Sequence, residues 1–205
     1  MTAHSDVTRR RRGLLLEYLT IGWNVVEAVV AVAAGLAAGS IALVGFGFDS
    51  TIEVAAASVV VWQFRAELRG GVDEERERRA LKRIAITFFV LAAYVTVEAV
   101  RDLLGGEEAQ PSTVGIVLAV VSLVVMPALA WMKWRTGVRL KSRTLVADSA
   151  ETLLCAWLSA ILVVGLVLNA AVSWWWADPV AALGIAWLAV REGVEAWQGE
   201  VLEEA

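Results

Sequence analysis

The sequence predicts an all-α membrane protein with six transmembrane helices, and three observations lead there. More than half of the 205 residues are hydrophobic and the mean hydropathy is +0.65, too apolar for a soluble domain of this length. Apolar runs long enough to cross a bilayer recur along the whole chain, with no segment left over for a separate soluble module. The basic residues come in patches, and these patches orient the runs. Windows of about 20 residues place the spans near 13–37, 40–64, 80–104, 112–133, 145–169 and 178–198. A basic tail at 1–12 and a short tail at 199–205 flank them. With both termini cytoplasmic, all of the 18 Lys and Arg except Arg101 fall in the inner segments or at the span ends beside them.

Span one follows Arg9, Arg10, Arg11 and Arg12. Small residues near Ala37 and Ala38 mimic an export-signal cleavage site. The run is nevertheless longer than a signal core and carries Glu17, Asn24 and Glu27, so it is expected to be an uncleaved anchor. Glu17, Thr20, Asn24 and Glu27 recur at steps of three and four, a polar stripe on one helix face. Either the stripe serves hydrogen bonding between helices, or Asn24 and the deeper Glu27 line an ion path or proton relay. His4, the only histidine, sits in the polar tail without an assigned role.

A tight turn at Gly39 leads into span two, where Asp49 and Glu53 stand four apart. On a helix they share one face, roughly 6 Å apart along the axis. Two carboxylates on one face in hydrocarbon repel each other, so protons or a bound cation must compensate. Gly45 and Ala57 continue the same face, and Ala55, Ala56 and Ser58 allow another helix to approach closely. Span three carries Tyr94 and Glu98, and Glu98 is expected to pair with Arg101 near the outer interface. Span four has no charge before Lys133 and holds Pro127, a kink residue, which suits a supporting helix.

Span five repeats the theme of span two. Asp148, Glu151, Thr152, Cys155 and Ser159 sit at offsets 0, 3, 4, 7 and 11 on one face. Spans two and five run in opposite directions, so Glu53 is expected to face Glu151 and Asp49 to face Cys155. That makes Asp49, Glu53, Glu151 and Cys155 four potential metal ligands near the bilayer midplane. Cys155 taken alone reads equally as a small packing residue. For Asp148, a gate or proton-relay role competes with pairing to a loop base such as Arg143. Span six opens on Asp178 and Pro179, an ordinary helix N-cap. Each half of the chain thus has three helices with an acidic middle one, the inverted-repeat pattern of secondary transporters.

Ser40, Ile41, Ala42 and Leu43, followed by Asp49, Ser50 and Glu53, resemble the second helix of the cation diffusion facilitators. Ala147, Asp148 and Ser149, then Glu151 and Cys155, resemble that family's fifth helix, and Ala177, Asp178 and Pro179 its opening to helix six. Two departures stand out. Glu151 occupies a position where many members have histidine, and Cys155 one where most have aspartate. The chain also stops shortly after span six, where the family carries a cytoplasmic metallochaperone-like domain, so a short, membrane-only branch is expected.

The resemblance implies a divalent-cation transporter exchanging metal for protons, most simply exporting Zn²⁺ from the cytoplasm. Zinc accepts four S, N and O ligands without a ligand-field preference. The thiolate favours Zn²⁺ or Cd²⁺, whereas the carboxylates alone suit Mn²⁺ or Fe²⁺. Acids gathered away from water hold protons until metal displaces them, which links metal entry to proton release. The rival expectation is a non-transporting zinc-binding membrane protein that regulates a partner. Expected surroundings are a lipid bilayer, a bacterial plasma (inner) membrane, and a homodimer formed through membrane helices. No nucleic-acid partner, catalytic residue set or nucleotide-binding loop is expected, which argues against an enzyme or an ATP-driven pump.

Overall fold

A backbone in lipid must satisfy its own N–H and C=O groups, and a helix does so within one segment. The computed structural model describes residues 3–69, 74–105, 109–140 and 143–198. They form helices α1 (Ala3–Ala38), α2 (Ile41–Arg69), α3 (Glu74–Gly105), α4 (Thr113–Leu140), α5 (Arg143–Val172) and α6 (Ala177–Gln198), with no strand among the described residues. Helix α1 takes in residues 3–12 of the basic tail, while the tail at 199–205 lies outside the described residues.

Among the described residues, four helices are long and apolar enough to cross a membrane: Arg11–Ala38, Ile41–Trp62, Thr113–Leu140 and Asp148–Val172. Helices α3 and α6 carry more charge. The charged residues of α3 include Lys82, Arg83, Glu98, Arg101 and Asp102, and those of α6 are Asp178, Arg191, Glu192 and Glu195. These two pack along each other, and both also touch α2. The other extensive pairings are α1 with α2 and α4 with α5, and further contacts join α1 to α4 and α2 to α5. Phe46, Leu43, Met126, Leu162 and Ile185 fill the shared core.

Polarity runs the opposite way to that of a water-soluble protein. Val29 (66 % exposed), Trp157 (63 %) and Trp187 (65 %) face outward, whereas Glu17, Asn24, Glu27 and Lys133 are all fully buried. Lipid tails solvate the first set at no cost, and the second must find partners inside. Exposed Trp62, Trp131, Trp134 and Trp197 ring the end of the bundle that carries Arg65, Lys82 and Arg135. There Arg65 lies over Tyr18 (5.7 Å), Lys82 over Trp197 (5.4 Å) and Arg135 over Trp131 (5.1 Å). Trp174 and Trp176, stacked at 5.0 Å, mark the opposite end. Such belts sit where hydrocarbon gives way to headgroups.

The Trp174 end is tied by polar links. Gly39 adopts φ 66°, a left-handed turn that costs glycine nothing, and Ser40 N–H returns to Gly35 O (3.0 Å). Ser40 Oγ accepts from Leu43 N–H (3.1 Å) and donates to Asp178 Oδ1 (2.5 Å), while Ala42 N–H donates to Asp178 Oδ2 (3.3 Å). Asp178 therefore caps α2 from across the bundle, where the sequence suggested a cap for its own helix. The first N–H groups of α2 are buried and need acceptors, and a carboxylate at a helix N-terminus is electrostatically favoured. Gln110 N–H reaches Ala38 O (2.7 Å) and Asn169 Nδ2 reaches Ala109 O (2.8 Å), closing the same end.

Glycines allow close helix approaches in both halves. A Cβ on Gly35 would lie 2.7 Å from Val44 Cγ2 and 2.8 Å from Val44 N, so α1 and α2 meet backbone to backbone. Gly137 does the same between α4 and α5, with Val146 Cγ2 at 2.8 Å and Val146 N at 3.0 Å. At the surface, Arg101 pairs with Glu98 (2.9 Å), as the three-residue spacing suggested.

Candidate metal centre

Helices α2 and α5 meet in the middle of the bundle and bring three side chains together. Asp49, Glu53 and Cys155 each place one ligand atom within 4.8 Å of the others. Asp49 and Cys155 are buried and Glu53 is half-buried. The four-residue step puts the two acids on the same face of α2, and Cys155 answers them from α5. Asp49 Oδ2 and Glu53 Oε2 are buried and accept no hydrogen bond from any described residue. Buried polar atoms are ordinarily paired, so two buried carboxylate oxygens without a partner among the described residues, on acids gathered with one thiol, suit a bound cation.

Asp49 and Cys155, expected opposite each other, are both in this group. Cys155 Sγ also lies beside the Glu53 carboxylate, within hydrogen-bond reach, where Glu151 had been expected opposite Glu53. Glu151 does not join the three-ligand group. It lies one turn away on α5, in the electrostatic field of Asp148, Glu192 and Lys133. Glu192, from α6, also stands within electrostatic reach of Asp49.

On the α1 side, Glu27 is fully buried and accepts from Ser50 Oγ (3.0 Å). Trp23 and Ser122 stand beside the same carboxylate, and its field reaches Asp49, Glu53 and Cys155. Asn24 is also fully buried, and neither side-chain atom of its amide has a partner among the described residues. Glu27 thus borders the three-ligand group across Ser50, the residue next to Asp49.

Asp148 is paired, though not with a loop base. Its Oδ2 accepts from Lys133 Nζ, which also donates to Glu17 Oε2 (3.2 Å) and Thr152 Oγ1 (3.2 Å). Helix α4 is therefore more than a support, because it carries a buried cation into the space between α1 and α5. The sequence reading gave Lys133 no such role, placing it at the end of span four. Its position within the apolar run Trp131–Trp134, with acids on two other spans, was the available signal.

Residues 83–197 match the family described as the cation efflux transmembrane domain, more than half of the chain. The match takes in the helix carrying Glu151 and Cys155 and begins after the one carrying Asp49 and Glu53. The chain is 30 % identical over 153 residues to "Uncharacterized transporter sll1263" of Synechocystis sp., an alignment covering 72 % of this chain and 49 % of the relative. It is 23 % identical over 152 residues to "Transmembrane protein 163" of Xenopus laevis, covering 73 % and 53 % respectively. The chain spans about half the length of these curated relatives.

Proposed function

Since the chain belongs to the cation diffusion facilitator family, we propose that it moves a divalent metal ion across a membrane in exchange for protons. The observation that carries this is the convergence of Asp49, Glu53 and Cys155 from two facing helices, with two buried oxygens that have no partner among the described residues. Two carboxylates and a thiolate suit Zn²⁺ or Cd²⁺, the thiolate setting the preference over Mn²⁺ and Fe²⁺. Zn²⁺ is the proposed cargo and export from the cytoplasm the proposed direction.

The residues divide the work. Asp49, Glu53 and Cys155 give up protons as they take the ion, because a metal competes with protons for the same lone pairs. Glu151 and Glu192 supply negative potential on the approach to the group, and Glu27, held by Ser50, is the neighbouring proton acceptor. Reprotonation from the opposite side then releases the ion. All six helices span the membrane in this account, α3 and α6 packing along each other and against α2. The arginine-rich end faces the cytoplasm of a bacterial inner membrane.

The two three-helix halves are related as inverted repeats. Support comes from the matching close approaches at Gly35–Val44 and Gly137–Val146, each nine residues apart, at equivalent hairpins of the two halves. Two chains associate through membrane helices. Cells lacking their own zinc exporters test the function: the wild-type chain should lower cell zinc and restore growth on high zinc. Asp49→Ala and Glu53→Ala should not, and wild-type behaviour of either variant at equal membrane abundance would show that the ligand group is misassigned.

A further inference from the structure

The side of the bundle where α1, α4 and α5 meet holds a second convergence of oxygen ligands. Glu17 Oε2 from α1, with Asp148 Oδ2 and Thr152 Oγ1 from α5, all bond one atom, Lys133 Nζ. Lys133 and Glu17 are fully buried, and Asp148 and Thr152 nearly so. The ammonium has three protons and three acceptors, so its donors are used up. Thr152 donates its own proton to Asp148 O (2.9 Å), which turns its lone pairs toward the ammonium. The carboxyl groups of Glu17 and Asp148 lie beside each other, and Glu17 Oε1 accepts no hydrogen bond from any described residue.

Two carboxyl groups against one ammonium leave acids in excess of bases at this point inside the membrane. Isolated ion pairs are normally one acid to one base, and a buried pair already struggles to offset its desolvation. Three oxygens from two helices around a single positive centre, with an acid oxygen to spare, is instead the donor pattern of a cation site. Hard cations take such all-oxygen sets. Here the cation is covalently attached to α4. It also lies within electrostatic reach of Glu53 and Glu151, beside the proposed transport group.

We propose that Glu17, Asp148 and Thr152 form a second cation site that Lys133 permanently fills, so that no mobile divalent ion is trapped there beside the transported one. The tethered charge keeps the acids occupied and leaves the Asp49, Glu53 and Cys155 group as the mobile ion's site. The inference rests on the transport reading only for what the mobile ion is doing; the filled site itself is independent of it.

The test counts Mn²⁺ bound to the full chain in detergent, by electron paramagnetic resonance titration at fixed pH. Mn²⁺ is chosen because it accepts all-oxygen ligands and is directly visible. The parent carries Asp49→Ala, which removes the first group, and Lys133→Ala is added to it. The second substitution should raise bound Mn²⁺ by one per chain, and further Glu17→Gln and Asp148→Asn should abolish the gain. Lys133→Gln, one atom shorter and with two donors but no charge, provides a second route should Lys133→Ala fold poorly. Either variant should gain thermal stability from Mn²⁺ that the parent does not, because an ion that binds only the folded chain stabilises it. No gain in bound Mn²⁺ in a folded variant would overturn the proposal. So would failure of both variants to be rescued by excess Mn²⁺. Zn²⁺ titration of the chain with Asp49 and Lys133 intact reads the first group separately. Absence of Zn²⁺ binding there, with the Lys133-dependent Mn²⁺ site present in the variants, would sink the transport reading alone.

Discussion

Asp49→Asn keeps the shape of the first ligand and removes its charge, and its effect can be sized from the geometry. At an effective dielectric of about 20, a divalent ion about 3 Å from the carboxylate centre gains about 11 kcal/mol. The ionised Asp49 also repels Glu53 and the Cys155 thiolate, which lie no more than 4.8 Å away, by about 3.5 kcal/mol each. Removing the charge thus forfeits about 11 and relieves about 7, a net loss of about 4 kcal/mol. That is roughly a thousandfold in affinity. Isothermal titration of Zn²⁺ into the detergent-solubilised chain, repeated in buffers of different ionisation enthalpy, reads both affinity and protons released. Because protons and metal compete, affinity should rise with pH in the wild type, and the slope equals the number of protons displaced. In Asp49→Asn the slope should fall by about one, since an amide has no acidic proton to give up. An affinity within tenfold of wild type with an unchanged slope would refute the reasoning.

Cys155→Ser replaces a soft donor with a hard one, so the preference for Zn²⁺ and Cd²⁺ over Mn²⁺ should shrink by at least about tenfold, or ~1.4 kcal/mol, in competition binding. Gly165→Val adds bulk where even a Cβ would stand 2.5 Å from Ala181 Cβ and 3.3 Å from Ala177 O. It should force α5 from α6 and cost about 1–3 kcal/mol, read as earlier thermal unfolding in detergent. Ser40→Ala removes the hydroxyl shared by Leu43 N–H and Asp178. With a buried acid left short of a donor, a loss of about 1–3 kcal/mol is expected by the same measurement.

Much of this arrangement is legible in the sequence because lipid makes polar residues conspicuous. Asp49 and Glu53 stand out as acids inside an apolar run, and their shared face follows from helix geometry alone. Their proximity to Cys155 of α5 could be guessed from two acidic middle helices, yet the place of Glu151 outside the group could not. A pairing between helices depends on how they cross, which spacing along one helix does not fix. Lys133 was hidden for a different reason. A lysine near the end of a span can snorkel to the interface or turn inward. Only the three-dimensional placement of Glu17 and Asp148 decides between them. The bond from Asp178 to Ser40 joins residues 138 apart in the chain, beyond the reach of any local cap rule.

The most direct test of the central claim is metal flux in sealed proteoliposomes holding one dye for zinc and one for pH. With a pH gradient imposed, the wild-type chain should carry Zn²⁺ inward while protons move outward. Asp49→Ala should abolish both movements. Saturable zinc binding without zinc movement, at any gradient, would contradict the account and leave a metal-binding membrane protein that acts on a partner.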